Sequence, residues 1–219
     1  MELRDLNHDE QLALLGLVQF IGESNHEVTD EESETIADVV KALGAEHYRK
    51  VAAEARANPQ VAAAAPFVAA QGLLSSGSQV RGVFVRGIVP ELEEKVADFA
   101  KHLKGGRLED LQPGEFGIIL GADLARALRA QRGDRVTLIA PQGQVTPAGL
   151  VPRLKQFRVT GIFNVGHYEY DSGLALVRLE DAQALYRLGE GVSGVRFKLE
   201  NLFDAPRVGR EAARRVTAD

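Results

Sequence analysis

From Pro59 onward, short β-like runs and short helical runs are interleaved without a repeating order, and this limits the fold more than any other feature of the chain. Val61–Val68 and Val80–Ile88 are rich in β-formers, and Ser75-Ser-Gly-Ser78 supplies a turn between them. Leu92–Leu103 has the spacing of an amphipathic helix, closed by Gly105-Gly106. Pro113-Gly114 opens a strand over Phe116–Leu120, and a helix over Asp123–Ala130 follows. Gly133-Asp134 turns into a strand over Arg135–Ala140, and Phe157–Phe163 is the strand that returns from the hairpin. Leu174–Leu179 is the next strand, Glu180–Leu188 a helix, Val195–Leu199 a strand and Asp204–Val216 a closing helix. A doubly wound sheet needs regular β–α–β alternation, which is missing here, so the pattern points to an α+β fold.

Residues 1–57 have a different texture and read as helical throughout. Asn7 with Glu10 marks a helix start, Leu12, Leu15 and Val18 share one face, and Gly22 ends the segment. Thr29-Asp-Glu-Glu32 is a capping box, and its carboxylates suit the positive end of a helix dipole. Ile36, Val39, Val40 and Leu43 then recur at helical spacing before Gly44. A third helix, Tyr48–Ala57, stops at Asn58-Pro59. Two short helices joined by an acidic loop resemble the small TerB-like helical modules.

Charge is split along the same line. Residues 1–59 hold 13 acidic and 5 basic side chains, while residues 60–219 hold 18 and 21. Neither part concentrates enough basic charge to track a nucleic-acid backbone, so nucleic acid is not an expected partner. The absence of cysteine excludes disulfides, thiolate chemistry and cysteine metal sites together. The acidic start MELRDLNHDEQ is unlike a signal peptide, and the apolar run Leu12–Ile21 is too short to span a bilayer. Val136–Pro152 has seventeen residues without a charge, but Pro141, Pro147, Pro152, Gly143 and Gly149 exclude a membrane helix. No membrane segment or signal peptide is expected in the chain as written.

No catalytic chemistry is visible. There is no G-x-S-x-G elbow, and His167, Asp171 and Ser172 read as a polar turn between two strands. Gly189-Glu-Gly-Val-Ser-Gly194 runs from a helix into a strand, the reverse of the order that aims amides at a phosphate, and there is no Walker motif. His8, His26, His47, His102 and His167 form no ligand pair, and Glu23, Glu27, Asp30 and Glu31 read as helix-start charge. The chain is therefore expected to be no enzyme and to need no cofactor or metal.

What remains is the segment Pro141–Pro152, PQGQVTPAGLVP. Val145, Pro147, Ala148, Leu150 and Val151 give it apolar surface, and it is followed at once by Arg153, Lys155 and Arg158. Exposed apolar surface bordered by charge marks a binding site, and its prolines reduce the entropy lost on ordering. The alternative is a loop folded back on its own core.

The runs Asn58–Ile88, Gly106–Gly121 and Gly121–Leu199 resemble the periplasmic domain of lipoprotein-releasing Lol transporter permeases of the LolC/LolE type. The similarity spans about Tyr48 to Asp219, and its motifs are G-x-x-LA, RGD-V-L-AP, TPAGLVP and the DAQ-LY-L…VSG-R-KL tail. The resemblance implies a MacB-like domain: a porter-like part over residues 48–113 and 200–219, and an inserted subdomain over 114–199 carrying a protruding hairpin at 141–152. Residues 1–47 would be an acidic helical module, natural or artificially fused. Such permeases work with a partner permease and cytoplasmic ATPase subunits to extract lipoproteins on the periplasmic side of the inner membrane. In the LolC type the hairpin, or hook, enters the apolar cavity of the periplasmic chaperone LolA, beside a polar and basic pad. The resemblance assigns Pro141, Val145, Thr146, Pro147, Ala148, Gly149, Leu150, Val151 and Pro152 to the hook, through its TP-x-G-x-x-P pattern, and Arg153 and Lys155 to the pad. The chain departs from the family at Ala148, where a larger apolar residue is expected, at Thr137, where the pad is basic, and in having no membrane helices.

The expected function is recruitment of a lipoprotein chaperone by the hook, as in LolC or hybrid LolF permeases. Two other readings remain: a LolE-like domain that faces the lipoprotein, and a helical adaptor carried by residues 1–47.

Overall fold

The computed structural model describes residues 53, 57–146, 149–201, 203, 205 and 207–209. The helices expected before residue 50, Pro147, Ala148 and most of the closing helix lie outside these residues. The chain divides into two compact units, Met1–Pro66 with Glu190–Asp219, and Phe67–Gly189. The second unit is tied together by pairing, since strands from the segment 67–88 are bonded to strands that follow residue 134.

In the first unit, β1 (Val61–Ser76) begins and pairs with β8 (Gly194–Leu199). Val61 and Val208 are buried together, with Phe197 and Leu199 against them. Gln60 fastens the same corner: its carbonyl accepts from the Glu200 N–H at 3.1 Å, and its side chain accepts from Arg207.

In the second unit the ladder closes on itself. β1 from Phe67 onward pairs antiparallel with β2 (Gln79–Ile88), and Gly77, at φ 57°, makes the tight turn between them. β2 pairs in parallel with β7 (Leu174–Arg178), and β7 antiparallel with β4 (Gly117–Gly121). β4 pairs in parallel with β6 (Gly149–Phe163), which pairs antiparallel with β5 (Arg135–Thr146). β5 returns to β1 through Leu73↔Ile139, Leu74↔Leu138 and Ser75↔Thr137. Six strands thus form a ring of mixed direction, and closure removes the open edges that an incomplete sheet would carry. Short helices lie outside the ladder: α1 (Pro90–Val96), α2 (Ala122–Leu128), α3 (Tyr168–Gly173) and α4 (Leu179–Tyr186). The mixed α and β architecture agrees with the class expected from the sequence.

Three local readings are corrected. β1 continues to Ser76 where the sequence had it stop near Val68. Gly72 looks like a strand breaker, yet a Cβ there would stand 2.9 Å from Leu138 Cδ1, so glycine permits a close approach inside the strand. The single helix expected over Leu92–Leu103 is α1, a 3-10 turn over Phe99–His102, and a short strand β3 (Leu103–Gly105) that pairs with β6. The break at Ala97, which is extended, leads to Phe99, packed edge-on to Phe163 at 5.4 Å among Ile88, Leu108, Leu111, Ile119 and Leu176. Finally, His167, Asp171 and Ser172 belong to the entry and body of helix α3 and not to a turn. Asp171 is buried and accepts from the Val165 and Gly166 N–H groups, both at 2.9 Å, so its carboxylate orders the preceding loop and orients no histidine.

Candidate functional site: the β5–β6 ribbon and its root

The candidate segment is the end of a long hairpin. β5 and β6 pair regularly from Arg135↔Arg158 to Ala140↔Arg153, and again over Gln144↔Val151, Val145↔Leu150 and Thr146↔Gly149. Between these stretches the register shifts, with Pro141, Gln142 and Gly143 on β5 facing the position of Pro152 on β6. Proline offers no N–H to a ladder, so the two prolines explain why the shift falls here. A bulge of this kind bends and twists the strand that carries it.

Among the described residues neither strand has an outer neighbour beyond the bulge. Pairing of β5 with β1 ends at Ile139, and pairing of β6 with β4 begins only at Arg158. Among the described residues, 140–146 and 149–153 therefore form a two-stranded ribbon whose strands pair only with each other. At about 3.3 Å per residue, the six steps from Ala140 to Thr146 correspond to roughly 20 Å of strand. Pro141 and Pro152 are both exposed at its root. Of the residues assigned to the hook, Pro147 and Ala148 lie outside the described residues; the others fall on this ribbon.

The two residues assigned to the pad share one face of β6, two positions apart, and both meet groups of their own unit. Arg153 is half-buried, and its Nη1 donates to the Tyr186 carbonyl at 3.4 Å. Lys155 is exposed, with its Nζ 3.9 Å from the centre of the Phe116 ring. Such a cation–π contact contributes about 0.5–1 kcal/mol at an exposed site. Phe116 also stands edge-on to Phe157 of β6 at 5.5 Å.

Phe116 has a positive φ of 53°, a conformation a bulky residue adopts only when held there. Asp181 does the holding: its two oxygens accept from the Gly114 N–H at 2.7 Å and the Phe116 N–H at 3.0 Å. This aspartate is 2% exposed, and burial pushes its carboxyl above the ordinary value, against the two amide donors that pull it down. At the other end of α4 the Tyr186 hydroxyl donates to the Gln71 carbonyl of β1 at 3.0 Å. Burial pushes this hydroxyl above its usual range, so it stays a donor at any physiological pH. Sequence reading gave no role to Asp181, Phe116, Tyr186 or Gln71, although Asp181 and Tyr186 fall in the DAQ-LY-L motif. The bonds of Asp181 reach back more than 60 residues with no local signal.

A cleft of about 660 Å³ in the same unit is lined by Arg107, Arg132 and Arg158, but also by Glu109, Asp110 and Glu115. Positive and negative groups are equal in number there, so it has no charge preference with which to select an anion. Among the described residues no group of three or more His, Asp or Glu side chains could hold a metal ion, and no helix is long and apolar enough to cross a membrane. His8, His26, His47, Glu23, Glu27, Asp30 and Glu31 lie outside the described residues.

Comparison with known proteins bears on this geometry. The family model of the MacB-like periplasmic core domain matches residues 12–215, which includes most of the segment expected to be a foreign module. The chain is 51% identical over 146 residues to the lipoprotein-releasing system transmembrane protein LolC of Neisseria meningitidis serogroup B, covering 67% of this chain and 35% of that protein. It is 28% identical over 160 residues to the LolE protein of Haemophilus influenzae, covering 73% of this chain and 38% of the relative. The chain thus spans little more than a third of the length of these relatives. The crystal structure of the periplasmic region of MacB from Actinobacillus actinomycetemcomitans superposes with a TM-score of 0.53 at 16% identity, covering 77% of this chain and 73% of that one, and so shares the fold. The chain belongs to the MacB-like periplasmic core domain family, a non-catalytic family, in the form found in LolC/LolE-type lipoprotein-releasing permeases.

Proposed function

We propose that the β5–β6 ribbon docks a periplasmic lipoprotein chaperone of the LolA type, as part of a permease that passes lipoproteins onward to the outer membrane. The observation that carries this reading is a charge-free hairpin extending past the last paired residues of both neighbouring strands. The higher identity to LolC than to LolE, together with the Thr146–Pro152 pattern, favours the LolC-like role. The whole permease would act with a partner permease and ATPase subunits on the periplasmic side of the membrane.

In this reading Val145, Leu150 and Val151 enter an apolar cavity of the chaperone, and Lys155 meets polar groups at its rim. Each buried aliphatic side chain contributes about 1.5–3 kcal/mol, and a rim charge much less. Val145→Asp or Leu150→Asp, measured by calorimetry against a LolA-type chaperone, is expected to abolish binding while the melting temperature stays unchanged. Lys155→Ala is expected to weaken binding modestly, by slowing association, with an effect that fades as salt is raised. Normal binding by both aspartate variants would exclude apolar insertion. Unfolding of both would put the loop in the core.

A further inference from the structure

We infer that helix α4 sets the direction in which the ribbon leaves its unit, with Arg153 and Asp181 as positioning residues for the partner-binding segment. A ribbon of two strands is marginal by itself and free to twist, so its exit angle must be fixed at the root. On the β6 side, β4 pairs with no residue beyond Arg158 toward the ribbon's end. The space a strand would fill is bridged by two side-chain contacts, and both trace to α4. The first is direct: Arg153, in the last regular pair before the bulge, donates to the carbonyl of Tyr186, the final residue of α4. The second is relayed: Asp181, in the first turn of α4, holds the amides of Gly114 and Phe116, and the Phe116 ring lies against Lys155 and Phe157 of β6.

The far side of the bracket is anchored as well, since the Tyr186 hydroxyl binds the Gln71 carbonyl of β1. The helix therefore reaches β1, β6 and the loop before β4 with side chains or carbonyls whose partners are all within the same unit. Fixing a binding segment before encounter reduces the ordering cost of association, so the bracket would raise the rate of productive docking. The inference deepens the chaperone-docking reading and takes the meaning of the ribbon's direction from it.

The absence of cysteine allows clean labelling. Nitroxide labels on Gln144→Cys in the ribbon and Gln131→Cys, exposed on the turn before β5, would report the ribbon's direction by double electron–electron resonance on the full chain. The expected distribution is narrow in the parent, broadened or shifted in Arg153→Met and in Asp181→Asn, and restored in Arg153→Lys, which keeps a donor. Association with a LolA-type chaperone is expected to slow by about threefold to tenfold in Asp181→Asn, whose substituted residue lies outside both the ribbon and the pad. A merely structural role would lower the melting temperature and leave the distance distribution alone, and that result would overturn the inference. If Asp181→Asn loses its cooperative transition, Arg153→Met, a partly exposed site, decides the matter. The distance measurement involves no chaperone, so a failed bracket and a failed docking reading give different results.

Discussion

Two buried aspartates illustrate how single residues shape this molecule. Asp171 and Asp181 each accept two backbone N–H groups from an irregular segment and so hold loops next to strands. Leaving a buried donor unsatisfied costs about 1–3 kcal/mol, and Asp181→Asn keeps only one carbonyl acceptor for two amides. Its melting temperature is expected to fall, and the Gly114 and Phe116 amides are expected to exchange faster than in the parent. Unchanged exchange at both would remove Asp181 from its role. The pH dependence follows from the raised carboxyl. Burial makes the folded chain hold this proton where the unfolded chain has released it, so stability from this group falls as pH rises between the ordinary and the raised value. The deficit of Asp181→Asn relative to the parent is therefore expected to shrink from the acid side of that window to neutral pH. A deficit that grows with pH would contradict the burial argument. The sequence marks Asp181 only as the start of the DAQ-LY-L motif and carries no sign of the amides it holds.

Elements were more legible, and the failures have physical causes. The strands Val80–Ile88, Phe116–Leu120 and Leu174–Leu179 are found within a residue or two of their expected bounds, because apolar runs between turn signals survive in tertiary context. The two strands of the hairpin were each read too short: Arg135–Ala140 continues to Thr146, and Phe157–Phe163 begins at Gly149. Prolines and glycines in 141–152 signal loop, yet backbone pairing across the bulge carries the strands through. β2 is not an edge over Phe84–Ile88, which is paired with β1 on one side and β7 on the other. Amide exchange is expected to be slow across Phe84–Ile88 and faster at Val80 and Arg81, which have β1 alone. Fast exchange throughout would mean that the ring is open between β2 and β7. Gly121, which ends β4, shows how closely elements approach: an added Cβ would lie 2.4 Å from the Asp171 carbonyl of α3. Gly121→Ala is expected to cost about 1–3 kcal/mol, read as a lower denaturation midpoint. A neutral substitution would show that α3 can retreat.

At the scale of the whole molecule, ring closure ties together segments far apart in sequence. β1 and β2 precede the segment that the family resemblance implies as an inserted subdomain, and they pair with its strands at Leu73–Ser75 and Phe84–Ile88. Long-range pairing leaves no local mark, whereas family motifs such as Thr146–Pro152 do, and they led to the right family. If the docking reading holds, deleting residues 1–47 is expected to leave chaperone binding unchanged, while a loss of binding with folding retained would favour the adaptor reading. The central claim is that the partner grips the ribbon itself. It is tested most directly by placing a photo-crosslinking residue at Leu150 and, separately, at Gln131, then irradiating each with a LolA-type chaperone. The expected result is a crosslinked complex from position 150 alone, suppressed when an acyl chain fills the chaperone's cavity. Equal crosslinking from position 131, or a complex that forms with none from position 150, would contradict it.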